Sequence, residues 1–380
     1  MRTAESAVNI AVVGAGIFGL AAALALRERG HAVTVFEQGR VPYERASSTD
    51  TSKTIRRLYG HNAVYVDLVE RAAVRWREWD RRLSERIYVR TGQLQIEQSF
   101  RPGFRIHDSW QFLRARDPDI EILSIEDARV RHPQFAYQEG DVCLYDPWGG
   151  YLASGAALVG LLRLARAGGV AVREETPVTD VSEDAGAAYV RVDGRTLAFD
   201  RVVVAAGVWI GRLVPGLARH IRPTRQEMVF IEPKDPDWLA AGALPVWSVN
   251  PEVDGWYGHP LQREGRMKIA NDLRGETVDP DDARPVSPVF VEAVRDFVAA
   301  RIPELAQGAV VGSRACLYED TPDRHFIIDW APGSRSILVA GGGSGHGFKF
   351  GGAIGDVIAD TLEHKDTGTG DVFRIGRRFR

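Results

Sequence analysis

Cysteine is scarce in this sequence, which contains two, Cys143 and Cys316, among 380 residues. Two are too few for the disulfide framework of a small secreted domain, and a buried structural thiol is the default interpretation of each. The sequence also lacks any apolar run near the roughly 20 residues that span a bilayer. The apolar stretch near the N-terminus belongs to a glycine turn and a helix rather than to a signal peptide. We therefore expect a cytoplasmic protein with no membrane partner.

Strong charge of either sign is missing as well. The formal net charge is −3, and a content of 26% charged and 44% hydrophobic residues is ordinary for a globular protein. This balance predicts no nucleic-acid partner. The sequence shows no internal repeat and no low-complexity linker, and we predict no metal ligand. A chain of this length has room for two domains.

The stretch 9–37 organises the rest of the chain, because it is typical of a dinucleotide-binding βαβ unit. A short apolar strand is followed by Gly14, Gly16 and Gly19 in G-x-G-x-x-G spacing, then by an Ala/Leu-rich helix and a second strand. The glycines permit a tight turn, close approach of backbone to a pyrophosphate, and close packing of the helix on the strand. The helix N-terminus attracts phosphate. Glu37, at the end of the second strand, can accept from ribose hydroxyls, which favours FAD or NAD over NADP.

The remaining pattern predicts one nucleotide-binding domain that is interrupted by a second domain. Periodic apolar residues predict helices over 62–86, 154–167, 289–301 and 352–362, whereas 98–122 is predicted to be a loop. A buried strand over 201–207 ends in Gly207, where a cofactor needs space beside the sheet. Between 221 and 312, strand-like runs with aromatics alternate with Pro/Gly turns, as in a mixed sheet.

We therefore predict an α/β (mixed α+β) fold, with a Rossmann-like domain and a substrate domain built on a large mixed β-sheet. The Rossmann-like domain is predicted to comprise residues 1–88, 150–220 and 318–380. The substrate domain is predicted to comprise residues 89–149 and 221–317.

Two C-terminal segments are more specific than the glycine motif. One runs from Cys316 to Asp329 and reads CLYEDTPDRHFIID, and the other runs from Ser344 to Phe350 and reads SGHGFKF. On these segments the chain resembles the D-amino-acid-oxidase-like flavoproteins, most closely the branch of monomeric sarcosine oxidase and N-methyltryptophan oxidase. The resemblance runs nearly from end to end of the chain.

The resemblance implies an FAD-binding domain, with the substrate held between the flavin and the mixed sheet of a second domain. It implies a flavin-dependent oxidase acting on CH–NH groups, which converts a secondary amino acid to an imine and reduces oxygen to hydrogen peroxide. Cys316 matches the family cysteine that is linked covalently to the flavin, which reverses its default interpretation. The residues assigned to FAD are Gly14, Gly16, Gly19, Glu37, Lys53, Gly207, Cys316, Gly343, Gly345, His346, Gly347 and Lys349.

The resemblance also assigns residues to the substrate. Arg56 and Lys349 match two family cations that bind the substrate carboxylate, and a pair of fixed cations would orient the substrate C–H bond toward the flavin. Tyr318 lies two residues beyond Cys316, hence on the same face of a strand, and resembles a family tyrosine of the substrate pocket. A core tyrosine is the alternative.

Two lysines compete for the role of the cation that speeds the reaction with oxygen. Lys268 matches the position of the sarcosine oxidase lysine and is favoured. Lys53 stands where that branch usually has arginine, and it resembles the lysine of amadoriase-like oxidases.

Two departures from the family pattern concern the substrate. Asp272 stands where the branch has histidine, and His259 stands where the branch usually has an aromatic residue. An acid can accept from a cationic or N–H-bearing substrate, or accept a proton if burial raises its pKa. A larger or cyclic imino acid, such as pipecolate or piperideine carboxylate, is therefore predicted rather than sarcosine. Loop residues facing water are the alternative for both positions.

Four alternatives to the oxidase interpretation stay open at the level of the sequence. They are a dehydrogenase of the same fold with another electron acceptor, a non-catalytic flavin-carrying subunit, an NAD-dependent dehydrogenase, and a glycine turn without a ligand. For the favoured interpretation, the partners are an amino or imino acid and oxygen, and the protein is predicted to be a monomer.

Overall fold

The computed structural model describes residues 7–377, and the ends of the predicted Rossmann-like domain, 1–6 and 378–380, lie outside the described residues. Within that range, the glycine turn follows the central strand of a six-stranded sheet. Numbered along the chain, its strands in side-by-side order are β19 (Ile327–Trp330), β20 (Ile337–Gly341), β13 (Arg201–Val204), β1 (Asn9–Val13), β2 (Ala32–Phe36) and β9 (Ala171–Arg173). All neighbours are parallel except β19 and β20. The central strands are apolar because the sheet is covered on both faces.

A second sheet of eight strands, counted over the described residues, lies beside the first. Its strands in order are β18 (Ala309–Asp320), β14 (Arg222–Glu232), β17 (Met267–Asn271), β16 (Trp256–Gly258), β15 (Val246–Val249), β5 (Gln93–Glu97), β7 (Val142–Asp146) and β6 (Glu121–Leu123). Neighbours are antiparallel except β15 and β5.

Alternation along the strands gives the two faces of this second sheet different chemistry. On β17, Met267 and Ile269 enter a hydrophobic core. Lys268 between them points to the opposite face, which also carries Cys316 and Tyr318 of β18. This polar face positions the candidate site.

Two three-stranded sheets complete the strands. One contains β10 (Val178–Asp184), β11 (Ala187–Val192) and β12 (Arg195–Phe199), and the other contains β3 (Lys53–Ile55), β8 (Gly150–Leu152) and β4 (Tyr88–Arg90), with β8 between its two partners. Strand β3 matters for the site, because it carries Lys53 and leads directly to Arg56.

The described residues form nine α-helices. They are α1 (Ile17–Glu28), α2 (Ala63–Leu83), α3 (Arg105–Leu113), α4 (Ile125–Arg131), α5 (Ser154–Ala167), α6 (Ile210–Leu213), α7 (Pro288–Arg301), α8 (Pro303–Ala306) and α9 (Gly351–Leu362). Helix α9 packs tightly on α1 and α2, since a Cβ at Gly355 would lie 2.2 Å from the Ala21 carbonyl oxygen and one at Gly352 would lie 2.3 Å from that of Ala72. None of the described helices is both long and apolar enough to cross a lipid bilayer.

The predicted fold class is confirmed, and the predicted helix over 154–167 coincides with α5. The prediction of a loop over 98–122 is wrong, because α3 lies within it. Helix α3 is short and buries Ile106 and Leu113 in a small cluster, so its apolar signal is weak. The predicted domain boundaries at 88/89 and 317/318 fall inside strands β4 and β18, and the domain division itself stays a prediction.

Candidate functional site

The glycine turn packs as closely as its sequence motif predicts. Gly14 has φ of +102°, and a Cβ at this position would lie 2.4 Å from the Ala205 carbonyl oxygen at the end of β13. A Cβ at Gly19 would lie 1.9 Å from the Gly14 carbonyl oxygen. Larger residues at these two positions would force β1, α1 and β13 apart. The turn is therefore built for close approach of backbone groups.

Glu37 directly follows β2 and is fixed against this turn. Its carboxylate accepts hydrogen bonds from the N–H groups of Ala15 at 2.7 Å and Gly39 at 3.2 Å. Burial raises the pKa of Glu37, and these hydrogen bonds oppose the rise. The acid thus stands at the end of β2, where a ribose acceptor is needed.

A cavity of about 310 Å³, which we call the first cavity, opens beside this turn. Gly14, Gly16 and Glu37 line one part of it, and Gly207, with φ of +55°, lines another. The volume is within the range of small-molecule and cofactor sites.

Two smaller cavities lead away from the first. The connecting cavity, of about 50 Å³, shares Ser48 and Glu319 with the first cavity. The cationic cavity, of about 80 Å³, shares Lys53 and Tyr318 with the connecting one. Shared lining residues place the three cavities next to one another, from the glycine turn to the polar face of the large sheet. An elongated dinucleotide fits this arrangement, with its nucleotide end at the turn.

The charged side chains that line the cationic cavity are mainly positive. In the described part of the chain, its basic lining residues are Lys53, Arg56, Arg105, Lys268 and Lys349, and its one acidic lining residue is Asp272. A site with this excess of positive charge attracts an anion.

Arg56 and Lys349 both contact Tyr59. The Arg56 guanidinium carbon is 4.9 Å from the centre of the Tyr59 ring, and Lys349 Nζ donates to the Tyr59 hydroxyl at 3.2 Å and to the His346 carbonyl oxygen at 2.8 Å. Among residues 7–377, neither cation has a carboxylate within ion-pair distance. Burial lowers the pKa of Lys349 well below its usual value, and the Arg56 charge lowers it further. An anion bound between the two cations would relieve this repulsion.

Lys268 and Lys53 are held by one carboxylate. Lys268 Nζ lies 2.5 Å from Asp50 Oδ2 and donates to the Ser52 carbonyl oxygen at 3.0 Å, and Lys53 Nζ lies 3.1 Å from the same Asp50 oxygen. Lys268 and Asp50 are almost completely buried, whereas Lys53 is partly exposed. The two lysines predicted to compete therefore belong to one cluster.

Asp272 and Tyr318 face the same cavity. Asp272 follows β17, and Arg324 approaches its carboxylate at 3.4 Å. Tyr318 lies against Gly345, where a Cβ would be 2.3 Å from the tyrosine ring and where φ is +76°. The glycine at position 345 is thus required by the tyrosine packed on it. Gly343 and Gly347 line the connecting cavity, as Gly345 also does.

The two predicted histidines differ in their placement. His346 lines the cationic cavity and holds Tyr59 and the Arg324 carbonyl oxygen through its two ring nitrogens. His259 is fully buried and lines none of the three cavities. Its nitrogens contact the hydroxyls of Ser52 and Thr54, on either side of Lys53. Tyr257 of β16 lines the cationic cavity, whereas His259 follows the end of this strand at Gly258 and is buried behind the cavity wall, so the structure gives it no direct contact with a substrate there.

Cys316 is 2% exposed and does not itself line the three cavities. It lies on the cavity-facing side of β18 in a cluster with Met228 and Tyr318. The Lys268 ammonium and the Arg284 guanidinium interact electrostatically with its sulfur.

Sequence reasoning missed three residues of the site: Asp50, Tyr59 and Glu319. Glu319 lines both the first and the connecting cavity, and burial raises its pKa to about 7 against the hydrogen bonds that the Gly342 and Gly343 N–H groups donate. Alternation along β18 was the available signal, since Glu319 must face away from Cys316 and Tyr318.

A Rossmann-type turn, an acid at the end of β2 and a chain of cavities that ends at a cationic site define a dinucleotide-dependent oxidoreductase. The sequence matches the family DAO, described as FAD dependent oxidoreductase, over residues 9–361. The chain therefore belongs to this family, which confirms the predicted enzyme class and makes FAD, not NAD, the cofactor.

Individual relatives agree with this assignment. N-methyl-L-tryptophan oxidase from Salmonella typhi is 28% identical over 358 residues, covering 93% of this chain and 94% of the relative. Glycine oxidase from Geobacillus kaustophilus has a TM-score of 0.82 at 23% identity, covering 99% of this chain and 100% of that one. Fructosamine oxidase from Aspergillus fumigatus has a TM-score of 0.83 at 24% identity, covering 100% and 93%. The predicted resemblance is confirmed, and the two structures show the shared fold.

Proposed function

We propose that this protein is an FAD-dependent oxidase of secondary amino acids. The observation that carries the proposal is the pair of cations, Arg56 and Lys349, which lack a carboxylate partner among the described residues and share a cavity with Asp272. A substrate with a carboxylate at one end and an ammonium at the other complements this arrangement. The named activity of the N-methyl-L-tryptophan oxidases supports the same substrate class.

Bound FAD would accept a hydride equivalent from the substrate C–H as the amine N–H proton is released, which leaves an imine, and would pass the two electrons to oxygen, which takes up two protons to give hydrogen peroxide. The residues of this chain bind and orient the substrate. Arg56 and Lys349 hold the substrate carboxylate, Asp272 accepts from the amine N–H, and Tyr318 closes the cavity on the side of the connecting cavity. Fixing both ends of the substrate converts an encounter into an oriented complex. The cytoplasmic location and the monomeric state stay predictions.

A cyclic imino acid is the proposed substrate class, because Asp272 gives a ring N–H a charged acceptor where the related branch has an imidazole. A peroxide-coupled screen of the purified yellow protein against N-methyl and cyclic imino acids tests this. We expect pipecolate-like compounds to exceed sarcosine in kcat/KM. Turnover of sarcosine at a rate equal to every cyclic candidate would contradict the substrate class. Flavin reduction without peroxide would instead indicate a dehydrogenase with another acceptor.

The first prediction concerns the amine end of the substrate. Asp272→Asn removes the negative charge but keeps the size of the side chain. We expect kcat/KM to fall roughly 10- to 100-fold, because a hydrogen bond to a charged group contributes about 1.5–3 kcal/mol. Steady-state kinetics with the best substrate of the screen measure the loss. Asp67→Asn, on the exposed surface of α2, is the matched control, and an equal loss in both variants would refute the role of Asp272.

The second prediction concerns the attachment of FAD, which we propose to be a thioether between the Cys316 sulfur and the flavin. Cys316→Ala is expected to release all FAD on denaturation, whereas the wild type retains a fluorescent band on a denaturing gel. Cys143→Ala is the control, because burial raises the pKa of the Cys143 thiol to about 12 and leaves it unreactive. A non-fluorescent wild-type band would exclude the covalent bond but not the oxidase.

A further inference from the structure

The carboxylate of Asp50 contacts both lysines that are candidates for the reaction with oxygen, and their role in that reaction rests on the proposed function. Lys268 and Lys53 are two candidates for the cation that favours this reaction. Both ammonium groups contact the same carboxylate oxygen of Asp50, at 2.5 and 3.1 Å. Two positive charges and one negative charge give this cluster a net charge of +1.

Because Lys268 is buried, its ammonium needs the Asp50 carboxylate in order to stay charged. Lys268 is 1% exposed, and an ammonium so far from water is unstable without a counter-ion. Burial lowers the pKa of Lys268, and Asp50 opposes this effect. Burial would raise the pKa of Asp50, but the charges of Lys268 and Lys53 outweigh it and hold the carboxyl ionised.

The surroundings of the cluster provide no second carboxylate among the described residues that interact with it. Apart from the cluster members, the titratable or charged groups that face it from the neighbouring elements are Tyr257 and His259 at β16, Arg314 and Cys316 on β18, and Lys349 after β20, whose charge interacts with Lys53. His259 is held neutral by burial, which lowers its pKa well below the usual value. It also fixes Ser52 and Thr54, which flank Lys53.

We propose that Asp50 is a positioning residue that keeps Lys268 protonated and holds the Lys53 ammonium beside it, so that the two lysines act on oxygen as one charged unit. Lys53 lines both the connecting and the cationic cavity, and Lys268 lines the cationic one. The unit therefore presents its net charge to the space where oxygen meets the reduced cofactor. A preorganised charge at that place lowers the barrier to electron transfer without reorganisation.

Asp50→Asn in the holoenzyme tests the proposal. The flavin is reduced anaerobically with dithionite, so that no amine substrate is needed, and the rate of reoxidation by oxygen is followed by stopped flow between pH 6 and 9. We expect a rate that falls at least about tenfold across this range in the variant, as Lys268 loses its proton, and less than about threefold in the wild type. Asp50→Asn/Lys268→Met removes both partners, so the tenfold fall is expected to disappear and to leave only the shallow pH profile of the wild type, to which Glu319 and Lys349 contribute in both proteins.

The pH dependence of thermal unfolding tests the protonation of Lys268 without a measurement of activity. Without Asp50, the folded-state pKa of Lys268 falls further below the unfolded value near 10.4. Between these two values the unfolded chain binds more protons, so stability rises with pH. The Tm deficit of Asp50→Asn relative to the wild type is therefore expected to be largest at pH 6 and to shrink toward pH 9. The deficit of Asp50→Asn/Lys268→Met is expected to stay constant.

Several results would overturn the proposal. One is a reoxidation rate of Asp50→Asn that stays as flat with pH as that of the wild type. Another is a tenfold fall that persists after Lys268→Met is added. If Asp50→Asn does not fold, the comparison of the wild type with Lys268→Met decides, since a fall of the wild-type reoxidation rate between pH 6 and 9 that Lys268→Met abolishes would show that Lys268 titrates despite Asp50. Absence of any reaction with oxygen in the wild type would defeat the proposed oxidase, a separate outcome.

Discussion

Arg56→Gln is expected to lower kcat/KM for an amino acid substrate by roughly 10²- to 10³-fold while leaving the fold intact. Loss of one partner from a buried, hydrogen-bonded charge pair costs about 2–5 kcal/mol of binding free energy. The Arg56 guanidinium donates to the Leu58 carbonyl oxygen and contacts Tyr59, but it is paired with no carboxylate within the described range. Its removal therefore leaves no uncompensated charge in the free protein. Steady-state kinetics and the Tm measure the two parts of this expectation.

Lys349→Met provides a second arm of the same experiment. Because both cations contact one carboxylate in the proposed complex, the double variant is expected to lose less than the sum of the two single losses. The kcat/KM for the substrate amide, which keeps the amine but lacks the carboxylate charge, should differ little between the wild type and Arg56→Gln. If Arg56→Gln kept near wild-type kcat/KM for the acid, the carboxylate-binding role would be wrong.

Arg57→Gln, at the next position, is expected to give the opposite result and to destabilise the protein by about 3–5 kcal/mol. Arg57 is 3% exposed and donates to both carboxylate oxygens of Asp146, at 2.6 and 3.2 Å. It also contacts Asp117 at 2.8 Å. Glutamine would leave the completely buried Asp146 carboxylate without its partner.

The measurement for this variant is thermal or urea unfolding. A loss of this size corresponds to a fall in Tm on the order of 10 °C. Arg75→Gln is the matched control, because its ion pairs with Glu28 and Glu78 are solvent-exposed and are expected to contribute less than about 1 kcal/mol. A Tm for Arg57→Gln within a degree or two of that of Arg75→Gln would contradict the structural role of Arg57.

Arg56 and Arg57 show which properties of a residue cannot be predicted from the sequence around it. The glycine turn could be predicted because its determinants, Gly14, Gly19 and Glu37, are local and its geometry follows from short-range sterics. Nothing local separates Arg56 from Arg57, since the partner of Arg57 lies 89 residues away in the chain. Burial and pairing decide their roles, and both are tertiary properties.

Asp50 and His259 are two further residues whose roles depend on tertiary contacts. Asp50 lies in a stretch that the sequence presents as a polar loop, and its partner Lys268 is 218 residues further on. His259 was assigned to the substrate from its motif position, but β16 ends at Gly258 and the histidine turns into the interior. The family resemblance identified the fold and a set of candidate site residues, whereas the contacts behind those residues required the structure.

Strand β18 has a consequence for how the two ligands influence each other. Tyr318 reaches the cationic cavity, the next residue, Glu319, reaches the first cavity, and Cys316 lies on the same strand ladder paired with β14. A ligand that orders one side of this ladder lowers the entropic cost of ordering the other side. Tight cofactor loading and substrate affinity should therefore rise and fall together when this ladder is loosened, even by a change that touches neither ligand.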